Sequence, residues 1–134
     1  MNRVNREVWE YMREGQHRVI REWVTDFDIS VREQAKLDVC VDRLRTLDFA
    51  LVSKKLLAGP LRGGEKLYKL RVRCENRELR PFLCRGPVGS GHDYTFLQGA
   101  IEVDSHRLNP SNAETRASEH RGLLIQNPRW RGVY

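Results

Sequence analysis

The chain has 134 residues, of which 40% are hydrophobic and 31% are charged, and its formal net charge is +6. This composition is typical of one globular domain spanning residues 1–134, and it excludes disordered and collagen-like chains. No apolar run reaches the ~18–20 residues that a transmembrane helix needs, and the first residues lack the apolar core of a secretory signal. Cys40, Cys74 and Cys84 form no C-x-x-C pair, which argues against both a disulfide framework and a zinc site. We therefore expect a cytoplasmic protein that does not associate with membranes.

The first half of the chain predicts two helices. From Gln16, apolar residues recur at spacings of three and four, which is typical of a helix with one buried face. Ser30 followed by Glu33 forms a capping box, so we expect a second helix to begin near Val31. The earlier stretch EVWEYM (7–12) is too short for its period to distinguish a helix from a strand. The second helix is expected to bury Ala35, Leu37, Cys40, Val41, Leu44 and Leu47.

The hydrophobic period changes to two in LYKLRVRC (67–74), which predicts a strand. The polar ENRE (75–78) predicts a turn, and ELRPFLCR (78–85) then returns as the second arm of a hairpin. Pro81 lacks an N–H group, so we expect it at an edge or a bulge. Along the first arm, Tyr68, Leu70, Val72 and Cys74 are expected to face the core, and Lys69, Arg71 and Arg73 to face away from it.

The last third of the chain predicts one strand and one helix. The stretch YTFLQGAIEV (94–103) is apolar on both faces, which is typical of a central, covered strand. Ser111 and Glu114 form a second capping box, and Pro128 would end the helix that follows. The expected fold class is α+β, with N-terminal helices packed on a mostly antiparallel sheet and a C-terminal helix. The last helix is expected to bury Ala113, Ala117, His120 and Leu124.

The positive charge is concentrated in one segment of the chain. Between Lys54 and Arg85 there are ten Lys and Arg residues against three Glu, whereas the remaining residues carry fourteen basic and fifteen acidic side chains. A basic patch on an otherwise balanced protein indicates a polyanionic partner, with nucleic acid first. The alternative is a solvated strand face that keeps a sheet edge soluble.

Motifs for nucleotide-binding or hydrolase chemistry do not occur in the sequence. There is no phosphate-binding P-loop, no G-x-G-x-x-G and no G-x-S-x-G, and GPVGSG (86–91) precedes a predicted strand rather than a helix. The four histidines lack metal-ligand spacing, so we expect no metal site. The basic residues are therefore the remaining candidates for a functional site. In a strand, residues two apart hold their side chains about 6.5–7 Å apart on one face, which is close to the spacing of successive phosphates, and guanidinium groups bind phosphate bidentately.

Three segments resemble the RelE/ParE superfamily of bacterial and phage toxins, and most closely its HigB-like, phage-derived branch. The similar segments are SKKLLAGP (53–60), EKLYKLRVRCENRELRPFLCRGP (65–87) and YTFLQGAIEVDSHRLNPSNAETRASEHRG (94–122). Members of that branch have a Lys-Leu element, a LYELR strand, a hairpin, a YR return strand, an apolar strand, and a helix that opens after Asn-Pro or Thr-Pro. The resemblance covers about residues 8–121 and implies that EVWEYM (7–12) forms a first strand.

The resemblance implies a toxin of a type II toxin–antitoxin system, a metal-independent endoribonuclease that cleaves mRNA, usually in the ribosome, without a cofactor. A cognate antitoxin, expected to be a helix-turn-helix protein, would neutralise it. By motif position Arg71 matches the Arg of LYELR, Arg80 that of YR, and Lys55 the lysine before the hairpin. Arg71 and Arg80 would hold the scissile phosphate, and protons would be transferred by Lys55 or His92. The other cations expected to contact RNA are Lys54, Lys69, Arg73, Arg77 and Arg85.

One position departs from the family pattern. Many members carry Lys after the central strand, where this chain has Glu102. If Lys55 does not transfer the protons, His92, His106 or Tyr134 would have to do so. The alternative function is a non-catalytic binding module of the same fold, which would bind gyrase or nucleic acid, or serve as a phage regulatory protein.

Overall fold

A computed structural model describes residues 6–104 and 107–134 of the chain. Within them the protein has an α+β fold with four α-helices and two β-sheets, in agreement with the predicted class. No helix in the described part is long and apolar enough to cross a membrane. In chain order the elements are β1 (Val8–Arg13), β2 (His17–Arg18), α1 (Val19–Asp26), α2 (Val31–Thr46), α3 (Phe49–Lys55), β3 (Leu57–Leu61), β4 (Leu67–Leu70), β5 (Val72–Arg73), β6 (Glu78–Leu79), β7 (Phe82–Arg85), β8 (Tyr94–Gln98), β9 (Ile101–Asp104), β10 (Arg107–Asn109), α4 (Ala113–Gln126) and β11 (Arg131–Val133).

The larger sheet contains seven strands. Six of them follow the order β11-β1-β8-β7-β4-β3, and β2 pairs with β1 beside this path. All of these pairs are antiparallel except β1 with β8. The smaller sheet has the order β10-β9-β6-β5 and is antiparallel throughout. The prediction of a mostly antiparallel sheet is therefore confirmed for the described residues.

Three strands of the larger sheet, β4, β7 and β8, are each adjacent in the chain to a strand of the smaller sheet. A short interruption in the strand structure separates the two members of each pair. The interruptions lie at Arg71, at Pro81 and at Gly99, so β4 is followed by β5, β6 by β7, and β8 by β9. Pro81 has no N–H group to donate, so a ladder of hydrogen bonds cannot continue through it. The indole ring of Trp23 lies where a Cβ on Gly99 would stand, about 2.1 Å from that position, and only glycine allows this packing.

Helices cover both faces of the larger sheet. Tyr68, Leu83 and Phe96 are cross-strand neighbours on one face, and the ring of Tyr68 packs edge-on against Phe49 of α3, with centroids 5.6 Å apart. Tyr11 follows the residue paired with Phe96 in β1, so it points to the opposite face. There it stacks on the imidazole of α4 at 4.7 Å. The helix α2 packs beside α3 and reaches β5 of the smaller sheet.

The two predicted N-terminal helices form, and a third helix follows that was not predicted. Both bonds of the capping box are present: the Glu33 N–H donates to Ser30 Oγ (3.1 Å), and the Ser30 N–H donates to Glu33 Oε1 (2.9 Å). The unpredicted α3 begins after Asp48, whose carboxylate accepts a hydrogen bond from the Leu51 N–H (3.1 Å). The prediction that Ala35 is buried is wrong, because it is exposed, and Leu47 is half-buried. The helix α2 buries Leu37, Cys40, Val41 and Leu44.

The second half of the chain corrects three expectations. The single strand predicted over 94–103 is two strands, β8 and β9, separated by Gly99 and Ala100. The capping box predicted at Ser111 and Glu114 is wrong, because α4 begins at Ala113 after Asn112 and has no side-chain cap. The C-terminal residues, for which no element was predicted, pair with β1 as β11. The predicted buried side of α4 is confirmed for Ala113, Ala117, His120 and Leu124.

Candidate functional site

A groove of about 370 Å³ lies between α2 and the segment 71–73, and its lining is basic. The apolar part of the lining is formed by Val39, Cys40, Leu56 and Val72, of which the last is only 1% exposed. Burial raises the pKa of the Cys40 thiol, so this sulfur stays protonated and is a poor nucleophile. Among the described residues, no acidic side chain contributes to the lining. The basic residues are Lys36 and Arg43 from α2, Lys55 from the end of α3, and Arg71 and Arg73 from the strand wall.

Local structure explains why these cations share one groove. Lys36 and Arg43 are seven residues apart in α2, so they lie on the same side of the helix about 10 Å apart. Lys55 stands in the last turn of α3, where the helix dipole favours a cation. The Arg71 N–H donates to the Leu56 carbonyl at 2.8 Å, which holds the strand wall beside the end of α3. The groove is therefore assembled from three rigid elements.

The groove cations are not neutralised from within the protein. In residues 6–104 and 107–134, none of the five forms an ion pair with a carboxylate. Other arginines of the basic segment are engaged: Arg62 pairs with Glu114 at 3.1 Å, and Arg77 pairs with Glu33 at 2.9 Å. Uncompensated charge of one sign in a concave site concentrates ions of the opposite sign. The groove is thus an anion-attracting surface, whereas Arg62 and Arg77 outside it are paired with carboxylates of their own protein.

The four residues predicted to be catalytic divide into two groups. Lys55 and Arg71 line the groove. Because Val72 pairs with Leu79 and Lys69 with Phe82, the same register places Arg71 opposite the second predicted arginine. Their surroundings differ. Arg71 is exposed, whereas its neighbour across the ladder, Arg80, is only 7% exposed.

Arg80 is held by groups of its own protein. Its guanidinium donates to the Glu78 carboxylate and to the Leu79 carbonyl, and its Nε lies 3.8 Å from Glu102 Oε1. Glu78 and Glu102 are directly opposite each other in the pair β6–β9. Two like charges in such a pair repel each other, and the Arg80 guanidinium offsets this repulsion. Glu102, the residue at which the sequence departs from the family pattern, therefore has an ion-pair partner in Arg80.

Two of the other proton-transfer candidates, His92 and Tyr134, lie outside the groove. His92 is exposed beyond β7, where its Nδ1 is 3.5 Å from an Arg85 guanidinium nitrogen. Five residues of extended chain separate Arg80 from Arg85, about 16 Å at strand rise. The Tyr134 hydroxyl donates to Asp38 Oδ1 at 2.7 Å, and burial raises the pKa of this phenol. His106 lies outside the described residues.

The five residues predicted to contact RNA likewise lie in different parts of the structure. Arg73 lines the groove, whereas Lys54 is exposed on α3 and Lys69 is half-buried beside Phe82 on the α4 side of the sheet. Arg85 lies with its guanidinium carbon 4.0 Å from the centre of the Phe49 ring. Arg77 donates hydrogen bonds from Nε and Nη2 to groups of its own protein.

Sequence reasoning missed two of the five groove residues, Lys36 and Arg43. The pattern of α2 was interpreted only for its buried stripe. A signal was available, because both cations flank Val39 and Cys40 on one side of the helix. The sequence alone does not say which strand this side of the helix faces.

Arg77 joins the β5–β6 turn to the beginning of α2. Its Nε donates to Glu33 Oε2 at 2.9 Å and its Nη2 to Glu33 Oε1 at 3.1 Å. The same Nη2 donates to the Phe27 carbonyl at 2.9 Å and to the Asp28 carbonyl at 3.1 Å. The Arg77 guanidinium is the main reason why the pKa of Glu33 is lowered to about 2, from an ordinary value of 4.5. We refer to this set of hydrogen bonds as the Arg77 clasp.

The Arg77 clasp predicts a pH-dependent contribution to stability. Because the pKa of Glu33 is lower in the folded state, its contribution is complete above the unfolded value of 4.5 and is lost as the pH falls towards about 2. We expect Glu33→Gln to lower the free energy of unfolding at pH 7, and the difference from the wild type to shrink between pH 4.5 and 2. Urea unfolding at several pH values measures this difference. Glu114→Gln, which removes an exposed pair with Arg62, should have little effect at any pH, and a Glu33→Gln difference that is independent of pH would contradict the assignment.

The described residues contain no group of three or more His, Cys, Asp or Glu side chains that could hold a metal ion. Comparison with protein-family models, with curated proteins and with solved structures finds no match to this chain.

Proposed function

We propose that this protein binds a single strand of RNA along the basic groove and cleaves it, as a toxin ribonuclease of the RelE/ParE kind. The observation that carries the proposal is the charge of the groove. Five cations from three elements line one concave surface, and no carboxylate in the described part of the chain pairs with them. Such a surface attracts a polyanion that can enter a groove.

The dimensions of the groove support an extended strand of nucleic acid as the occupant. Arg71 and Arg73 are two residues apart in extended chain, about 6.5–7 Å, a spacing close to that of successive phosphates. Lys36 and Arg43 are separated by about 10 Å on the opposite wall. Cations on both walls could therefore contact two or three consecutive phosphates. The apolar lining between the walls would be covered by the sugars and bases.

The proposed chemistry uses two groove residues. Arg71 would hold the oxygens of the scissile phosphate and stabilise the charge that develops on them. The 2′-oxygen of the preceding ribose would attack the phosphorus and lose its proton to solvent, and the bond to the 5′-oxygen would break. Lys55, as an ammonium group, would donate a proton to that leaving oxygen. The products are a 2′,3′-cyclic phosphate and a 5′-hydroxyl.

Salt dependence tests the binding part of the proposal. If all five cations contact phosphates, the logarithm of the affinity for single-stranded RNA should fall by about 3.5 for each tenfold increase in salt, at about 0.7 per contact. The adjacent lysines of α3 provide a matched pair, because Lys55 lines the groove and Lys54 does not. We expect Lys55→Ala to reduce the slope by about 0.7 and Lys54→Ala to leave it unchanged. Fluorescence anisotropy with a labelled oligonucleotide measures both slopes, and equal effects of the two variants would argue against the groove.

The second candidate is a non-catalytic binding module of the same fold, which would bind gyrase or nucleic acid, or serve as a phage regulatory protein. Two observations favour it: Arg80 is bound to carboxylates of its own protein, and His92 lies outside the groove. Incubation with translating ribosomes followed by primer extension on the mRNA separates the two candidates. New 5′ ends that depend on the protein support the ribonuclease, whereas RNA binding without new ends supports the binding module.

The toxin proposal includes a protein partner. An exposed groove with five uncompensated cations would be neutralised by an antitoxin that covers it with acidic side chains. The resemblance implies that the antitoxin gene is adjacent and that its product has a helix-turn-helix domain.

A further inference from the structure

The Arg77 clasp connects the two walls of the groove. One wall is α2, and the other is the strand β5, which leads directly into the turn that carries Arg77. Glu33, the partner in α2, is three residues before the groove residue Lys36, about 4.5 Å along the helix axis. A change in the position of Glu33 relative to the turn would therefore move a groove cation relative to Arg71 and Arg73.

The clasp is well placed to define this separation. Its carboxylate and guanidinium side chains are 13% and 26% exposed, and the pairing is bidentate, which fixes orientation as well as distance. The other ion pair between the walls in the described residues, Arg32 with Glu75, is 3.6 Å long and its side chains are 78% and 71% exposed. An exposed single contact of this kind constrains geometry weakly.

The hydrogen bonds of Arg77 also argue against a direct contact with RNA. Two of its nitrogens are engaged by Glu33, and one of these also donates to the carbonyls of Phe27 and Asp28. The hydrogen bonds to the Glu33 carboxylate raise the pKa of Arg77. A phosphate could bind this guanidinium bidentately through Nε and Nη2 only by displacing the Glu33 carboxylate. The charge of Arg77 is therefore already used within the protein.

We propose that Arg77, through Glu33, is a positioning residue that sets the distance between the two walls of the groove, so that Lys36 and Arg43 on α2 act on the same RNA strand as Arg71 and Arg73. This inference rests on the proposed function, because it assigns a role in RNA binding at that groove. A positioning role and a direct phosphate contact predict opposite changes in RNA affinity when Glu33 is replaced, and this difference can be measured.

The experiment compares the RNA affinity of the wild type with that of Glu33→Ala and Glu33→Gln. Removing a negative charge beside a basic groove raises the affinity for RNA if Arg77 contacts phosphate, because the variant frees a cation. If Arg77 positions α2, the affinity falls despite the more positive net charge. We expect a loss of about tenfold at low salt. We also expect a reduction of about 1.4 in the salt slope, because two α2 contacts are lost at about 0.7 each.

Matched variants separate positioning from a loss of folding. Glu33→Gln keeps an oxygen that can accept from the Ser30 N–H, and Ser30→Ala removes a capping bond without touching Arg77. Each variant is compared at a temperature where circular dichroism shows it to be folded. We expect Ser30→Ala to bind RNA like the wild type. Arg62→Ala, which removes an arginine paired with Glu114, should do the same.

A mutant cycle completes the test. If the clasp acts through the α2 cations, Arg77→Ala should weaken binding in the wild type but not in a Lys36→Ala/Arg43→Ala background. Higher affinity in Glu33→Ala, unchanged affinity in the folded variants, or an equal loss in both backgrounds would each overturn the inference and leave RNA binding at the groove intact. Absence of RNA binding by the wild type would overturn the proposed function, and this inference with it.

Discussion

Replacing Arg71 by alanine is expected to lower the rate of RNA cleavage by about 10²–10³-fold, the typical loss when a preorganised contact to a developing oxyanion is removed. Arg71 is exposed in the groove, forms no ion pair with the described residues, and lies on backbone held by a hydrogen bond to Leu56. Its side chain therefore contributes to the groove and little to the stability of the fold. We expect Arg71→Ala to unfold in urea at the same midpoint as the wild type. Primer extension on mRNA from translating ribosomes measures the cleavage rate.

The matched control for Arg71 is Arg62, which carries the same charge in the same segment but pairs with Glu114 and donates to Thr115 at 2.9 Å. Expression of the wild type without its neighbouring gene should stop growth, expression of Arg71→Ala should not, and Arg62→Ala should behave like the wild type. Co-expression of the neighbouring gene should restore growth to the wild type. Equal, mild losses for Arg62→Ala and Arg71→Ala would mean that the basic segment provides only general attraction, and the ribonuclease proposal would then give way to the binding module.

Replacing Arg80 by alanine is expected to destabilise the protein by about 3 kcal/mol, the lower end of the range for removing one partner of a buried ion pair. Without this guanidinium, Glu78 and Glu102 would face each other as like charges in a cross-strand pair. The loss is set at the lower end because both carboxylates are partly exposed, at 33% and 23%. The free energy of unfolding in urea is the relevant measurement.

A second substitution distinguishes this explanation from the loss of packing alone. Arg80→Ala/Glu102→Gln removes one of the two opposed charges, so it should recover part of the lost stability. Glu102→Gln alone should be mildly destabilising, since Arg80 keeps its bonds to Glu78 and to the Leu79 carbonyl. A double variant no more stable than Arg80→Ala would show that repulsion between the carboxylates is not the cause.

Arg71 and Arg80 show a difference between what the residue pattern predicts and what the structure contains. In the sequence, Arg71 and Arg80 both follow strand residues and both match a motif position, so they were assigned the same role. The register does place them opposite each other, but one is exposed and the other is buried between two glutamates. The difference depends on Glu102, which is 22 residues from Arg80 in the chain and reaches it only because β9 pairs with β6. Motif position carries no information about such a partner.

The features that the sequence determined are those governed by local periodicity and local hydrogen bonds. The alternation in 67–74 correctly predicted that Tyr68, Leu70 and Val72 are buried, because successive side chains of a strand point to opposite faces. The Ser30–Glu33 capping box was predicted for the same kind of reason, since both of its bonds are formed within four residues.

Only the tertiary structure decided where the charges act. The groove combines α2, α3 and the strand wall, and the ion pairs of Arg77 with Glu33 and of Arg80 with Glu102 join residues far apart in the chain, although Arg80 also pairs with the nearby Glu78. The strand β11 likewise forms only because β1 offers it an edge. Ion pairs and sheet edges depend on which segments the fold brings together, and the spacing of residues along one segment does not encode that choice. The excess of positive charge in the basic segment was therefore readable from the sequence, whereas the choice of the five cations that line the groove was not.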